Sequence, residues 1–178
     1  MMKINTPLLI LISILCALVT TSTQGQDIAI LEHKFETELV WTAKVTIGDL
    51  VVLGESKRGL RRMIPITGGT FEGPDIRGEV LPGGADWQLV RPDGDTELYA
   101  RYLLQTDDGH LIHIINQVLS RRLANGEPYR RSVIDLEAPL GSPYEYLNHS
   151  MFLGTLDVPP SLEEGEAPYV IIGVYRLL

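Results

Sequence analysis

Apolar residues in this chain gather in short runs, and turn-forming residues cut those runs at short intervals. The runs fall at 39–53, 87–90, 98–104, 111–119, 147–153 and 169–178. Between them stand Gly68-Gly69, Gly73-Pro74, Pro82-Gly83-Gly84, Pro92-Asp93-Gly94, Asp108-Gly109, Asn125-Gly126 and Gly141-Ser142-Pro143. Glycine punctuates because it accepts positive φ, proline because its φ is fixed. Long stripes with a 3.6-residue period are scarce, so strands joined by tight turns are expected in place of amphipathic helices. A helix over 116–124 is the weaker reading, because Asn125-Gly126 would stop it at once. The stretch 159–168, rich in Glu, Gly and Pro, reads as an exposed loop before a last strand. Together these signals predict one all-β domain, a barrel or a sandwich.

Two central hairpins allow a guess at register. An Asp-Gly pair between strands is a strong signal for a two-residue type I′ turn. With Asp108-Gly109 as the loop, Asp107 faces His110 and Arg101 faces Asn116. For the preceding hairpin, either Asp93-Gly94 alone or Pro92 to Asp95 as the loop sets Asp86 opposite Arg101. The expectation is a cross-strand row of Asp86, Arg101 and Asn116 on one face of a meander. Residues two apart share a face, so Gln88, Tyr99 and Val118 form the next row, and Leu103 with Ile114 the one beyond. A carboxylate, a guanidinium and a carboxamide bordered by apolar residues would suit a ligand-binding lumen. As a structural element the same row is an ion pair with a satisfied amide. As a site, Arg101 would grip a carboxylate or enolate oxygen while Asp86 acts as a base.

Composition narrows the function. The 178 residues are 44% hydrophobic and 21% charged, which is ordinary for a single globular domain. A net charge of −8 argues against a general nucleic-acid binder, whose affinity comes mainly from Lys and Arg. Lys57, Arg58, Arg61 and Arg62 form a local basic cluster, read as solvated surface with an anion contact as the alternative. Residues 1–25 read as a cleavable secretory signal: Lys3 is followed by an apolar run over 8–19 and by Thr23-Gln24-Gly25. That run is too short for a stable membrane span. The mature chain would begin at Gln26, with a secreted or periplasmic address. The single cysteine, Cys16, lies in the signal, so the mature domain would have neither disulfides nor thiolate chemistry.

Other motifs exclude more than they assign. His110 and His113 would fall on opposite faces of a strand, and His33 and His149 are isolated, so no metal site is expected. No phosphate-binding glycine loop and no G-x-S-x-G elbow occur, and the glycines at 68–84 suit bulges and barrel corners. Tyr144, Tyr146 and Asn148 alternate ahead of an expected strand and would share one face, as an aromatic rim or as ligand contacts.

Two strings carry a family resemblance: RRMIPITGGTFEGP at 61–74 and GEVLPGGADWQ at 78–88. With Arg101-Tyr102, Thr106-Asp107-Asp108-Gly109, Asn116, Tyr146-Leu147-Asn148 and Phe152, the chain resembles the DUF3237 (UPF0311) family from about residue 28 to its end. The resemblance implies a single antiparallel β-barrel with a central cavity and no catalytic residues to carry over. Two functions fit a small, partly apolar, anionic or carbonyl-containing ligand in such a lumen. One is a cofactor-independent lyase or isomerase, with Arg101 and Asn116 steadying an oxyanion and Asp86 or a tyrosine moving a proton. The other is a carrier in which the same row, with Gln88, Tyr99, Tyr144, Tyr146 and Asn148, serves recognition alone. A structural protein with a filled lumen is a third.

Overall fold

The computed structural model describes residues 34–178; the predicted signal segment lies outside them. Ten strands follow in chain order: β1 (Thr37–Ile47), β2 (Val51–Ser56), β3 (Gly59–Glu72), β4 (Arg77–Val80), β5 (Ala85–Val90), β6 (Thr96–Thr106), β7 (Leu111–Arg122), β8 (Pro128–Glu137), β9 (Phe152–Asp157) and β10 (Tyr169–Leu177). A single 3₁₀ turn, Glu145–His149, separates β8 from β9. All pairings are antiparallel. The circuit runs β1, β10, β9, β8, β7, β6, then β4 and β5 end to end, then β3, and closes by pairing β3 with β1. Eight positions surround the axis, with β4 and β5 sharing one and β2 attached outside to β3. The stretch 116–124, for which a helix was the weaker reading, lies mostly within β7.

Period-2 patterning builds this closure. In β8 the residues from Ser132 to Glu137 alternate strictly between buried and exposed, and the later half of β6 does the same. The inward set at one end is a dry plug. Trp41, Leu104, Ile112, Ile114, Leu147 and Phe152 are fully buried there, with Phe71 beside Trp41 at a ring separation of 5.6 Å. Burial of each large apolar side chain is worth about 1.5–3 kcal/mol, so the plug is the main stabilising mass. Closing β3 against β1 demands glycine at position 69: its φ is 134°, and a Cβ there would lie 2.0 Å from the Lys44 carbonyl oxygen.

The hairpins correct the expected register. At 91–95 the Gly94 N–H donates to the Arg91 carbonyl at 3.0 Å and the Arg91 N–H to the Asp95 carbonyl at 2.8 Å. The turns at 106–110 and 123–127 repeat that pair of bonds. Each loop therefore has three residues, a type I turn ending on a left-handed glycine. Gly94, Gly109 and Gly126 have φ of 93°, 89° and 86°, and among the described residues no non-glycine residue has positive φ. A type I′ turn needs positive φ at both central residues, and in these three turns only the glycine has it. One extra loop residue moves the pairing by one, so Ala100, not Arg101, stands between Asp86 and Asn116.

Candidate functional site

A one-residue shift exchanges faces. The inward rows become Asp86, Ala100, Asn116 and, one step toward the open end, Arg62, Gln88, Leu98, Val118. Trp87 and Tyr99 point outward and are exposed. At the end opposite the plug the lumen holds a cavity of about 390 Å³, lined mainly by apolar side chains such as Val45, Ile64, Ile66, Leu98, Leu156 and Ile172. Its polar wall comes from β3, β5 and β7.

That wall is a connected relay. Arg62 Nε donates to Gln88 Oε1 at 2.6 Å, and Gln88 Nε2 donates to Asp86 Oδ2 at 2.6 Å. Gln88 and Asn116 are 4% and 2% exposed, so their amides are committed to the interior. Asp86 Oδ1 and Asn116 Oδ1 are buried without a hydrogen-bond partner. They flank Ala100, whose methyl group leaves a gap between two strands' polar side chains. Buried polar atoms are nearly always paired, so two oxygens beside one cavity with no donor from the chain are exceptions that set this wall apart. Burial pushes the Asp86 carboxyl above its ordinary range, and the Gln88 amide, the Tyr99 backbone and the Arg62 guanidinium offset this only in part. Burial likewise pushes the Tyr102 hydroxyl, also on the cavity wall, well up.

The structure distributes the residues expected from sequence over three places. Asp86, Asn116 and Gln88 meet in the lumen. Arg101 lies on the outer surface, where its Nε donates to His113 Nε2 at 2.9 Å and His113 Nδ1 lies 3.3 Å from Glu137. Tyr99 is on the same outer surface. The other three belong to the 3₁₀ turn and its approach, where a threefold repeat replaces alternation. Tyr144 donates its hydroxyl to Asp108 at 3.1 Å, tying the segment to the β6–β7 turn. Tyr146 packs under Arg176, and Asn148 clamps both backbone groups of Ala138 at 2.8 and 3.0 Å. None of the three lines the cavity.

Arg62, read from sequence as solvated surface, supplies the inward cation in place of Arg101. Its signal was the alternation Arg62, Ile64, Ile66 along β3, all three of which line the cavity. Thr96, Ser120 and Arg130 also line it and carried no sequence signal. Among the described residues no three His, Cys, Asp or Glu side chains converge as metal ligands, and no helix is long and apolar enough to cross a membrane.

A family model described as "Protein of unknown function (DUF3237)" matches residues 35–177. A UPF0311 protein of Rhodopseudomonas palustris is 37% identical over 155 residues, which span 80% of this chain and 97% of that protein. A β-barrel-like protein of Acinetobacter baumannii superposes with a TM-score of 0.73 at 31% identity, covering 84% of this chain and 99% of the other. A hydroalkoxylation enzyme of Penicillium herquei is 28% identical over 127 residues, 71% of this chain and 76% of the enzyme.

Proposed function

The chain belongs to the DUF3237 family, and from that premise we propose that its lumen binds a small, partly apolar molecule with a phenol, enol or carbonyl oxygen and transfers a proton to it without a cofactor. The observation that carries the reading is the pair Asp86 and Asn116 on either side of Ala100, each with an unpaired buried oxygen at the wall of an apolar cavity. The likeness to a hydroalkoxylation enzyme supports addition of a hydroxyl across a carbon–carbon double bond as the reaction class.

In that reaction the Asp86 carboxyl delivers its proton to one alkene carbon. The substrate's hydroxyl oxygen bonds to the other carbon, and the hydroxyl proton returns to the Asp86 carboxylate. Atoms balance, and the enzyme ends as it began. A raised carboxyl pKa favours the proton-carrying form the first step needs. The Asn116 amide and the Arg62 guanidinium, oriented by Gln88, hold the substrate's oxygens while charge develops. The lyase or isomerase reading uses the same groups, with proton removal preceding the proton's return.

The test is conversion of 2-allylphenol to its cyclic ether, with deuterium uptake from heavy water read by mass spectrometry. Asp86→Asn keeps shape and the bond from Gln88 but cannot carry the proton. The expected result is a loss of turnover of about 10²-fold or more with binding retained. Binding without turnover in the parent protein, unchanged in the variant, would instead establish the carrier reading, which the mainly apolar lining also supports. We also propose that the domain works after export from the cytoplasm, from the pattern of residues 1–25; a mature N-terminus at Gln26 by sequencing is the check.

A further inference from the structure

The cavity has a second polar layer nearer its mouth. Thr96, Ser120 and Arg130 face one another across β6, β7 and β8 and all three line the cavity. On β6 and β7 this layer is four residues from the Ala100 and Asn116 positions, or about 13 Å along the strands. Between them stand the apolar Leu98 on β6 and Val118 on β7, with Ile47 and Leu156 also in the lining, while Arg62 and Gln88 occupy the same level on β3 and β5. Along β7 the wall therefore reads polar, apolar, polar, as Asn116, Val118 and Ser120.

Charge gives the second layer a sign. The charged residues lining the cavity are Arg62, Arg130 and Asp86. The segment between β9 and β10 carries Glu163, Glu164 and Glu166, yet it contributes Val158, Pro159, Leu162 and Pro168 to the lining. Glu166 turns away to Lys44, at 2.6 Å. None of the ion pairs among the described residues uses Arg62 or Arg130. The lining is thus net positive, within mainly apolar walls that strengthen electrostatic attraction.

We propose that the lumen takes a ligand polar at both ends: an elongated apolar molecule whose phenol or enol head lies between Asp86 and Asn116 and whose carboxylate lies at the mouth against Arg130, Ser120 and Thr96. The head position rests on the reading of the site given above; the tail position rests on the mouth layer alone. Guanidinium and hydroxyl donors together suit a carboxylate, which accepts from several partners at once. The tail fixes orientation, so the reactive end is always the one delivered to Asp86.

Three probes separate the two ends: 6-hydroxy-2-naphthoate, its methyl ester and 2-naphthol, titrated by fluorescence into the parent protein, Arg130→Gln and Ala100→Leu. The parent should bind the acid about tenfold more tightly than the ester, and Arg130→Gln should remove that preference. Binding of 2-naphthol should be unaffected by Arg130→Gln and lost in Ala100→Leu. Equal affinity of the parent for acid and ester would overturn the carboxylate subsite whatever the variant does. An acid preference that survives in Arg130→Gln would overturn the role of Arg130. Binding of 2-naphthol that survives in Ala100→Leu would overturn the head position and, with it, the reading of the site. Failure of the parent to bind any probe would overturn both.

Discussion

The two ends of the barrel are built from the same strands to opposite purposes. At the plugged end, Trp41, Phe152, Leu104 and Ile112 leave almost no accessible surface. At the open end, the same strands place Ala100, Val118, Asn116 and Ser120 around a cavity. Strand pairing runs continuously through both, so the open end does not need a filled interior to keep its shape. The plug carries the stability, which leaves the cavity free to keep polar atoms unpaired. Unsatisfied buried groups cost about 1–3 kcal/mol each, a cost that a domain without the plug would be poorly placed to carry.

The sharpest way to break that division is a pair of substitutions. Phe152→Ala in the plug should cost about 3–5 kcal/mol in chemical denaturation. Ala100→Leu in the cavity should cost under about 1 kcal/mol, because there is room for the added carbons. A cavity substitution as damaging as the plug one would show that the lumen is part of the stabilising core.

The next effect is smaller and depends on pH. Asp86 has a folded-state pKa raised above its ordinary value of 3.8, so the folded state binds its proton more tightly than the unfolded state does. Stability is then greatest below the unfolded value and falls as pH rises through the folded one. Asp86→Asn should therefore melt at a higher temperature than the parent at neutral pH, with the difference vanishing in acid. A variant that melts lower at neutral pH would mean that the ionised carboxylate is held by partners the relay does not show.

The smallest effect belongs to the outer face. Arg101→Ala should change neither binding of 2-naphthol nor its pH dependence, because Arg101 contacts His113 outside the barrel. A large loss of binding would place Arg101 back in the lumen and overturn the register.

Much of the architecture could be read before the structure, and the reasons are local. Turn residues at Gly68-Gly69, Pro92-Asp93-Gly94 and Asn125-Gly126 mark the ends or bends of real strands, because their chemistry acts within a few residues. Gln88 shares the face of Asp86 along one strand, and Asn116 stays in their row because the two one-residue errors both fall on β6 and cancel between β5 and β7. Arg101 and Tyr99 went astray because face assignment across a hairpin depends on loop length, and Asp-Gly serves two-residue and three-residue loops alike. Tyr144, Tyr146 and Asn148 were read with the wrong period in a segment whose 3₁₀ turn has a weak sequence signal. Arg62 shares its face with Ile64 and Ile66 but meets its partner Gln88 only through the pairing of β3 with β5, and Arg130 stands in a polar stretch of β8 with no apolar alternation beside it.

The three-residue hairpins have a consequence for how such a protein can change over generations. Point substitutions in the lumen change its lining one side chain at a time. Loss of a single codon from the 91–95 turn would rotate β5 against β6 and bring Trp87 or Tyr99 inward in place of Asp86 or Ala100. Insertions and deletions there are thus far more disruptive than replacements, and divergence of the lumen is channelled into substitutions on a fixed set of inward positions.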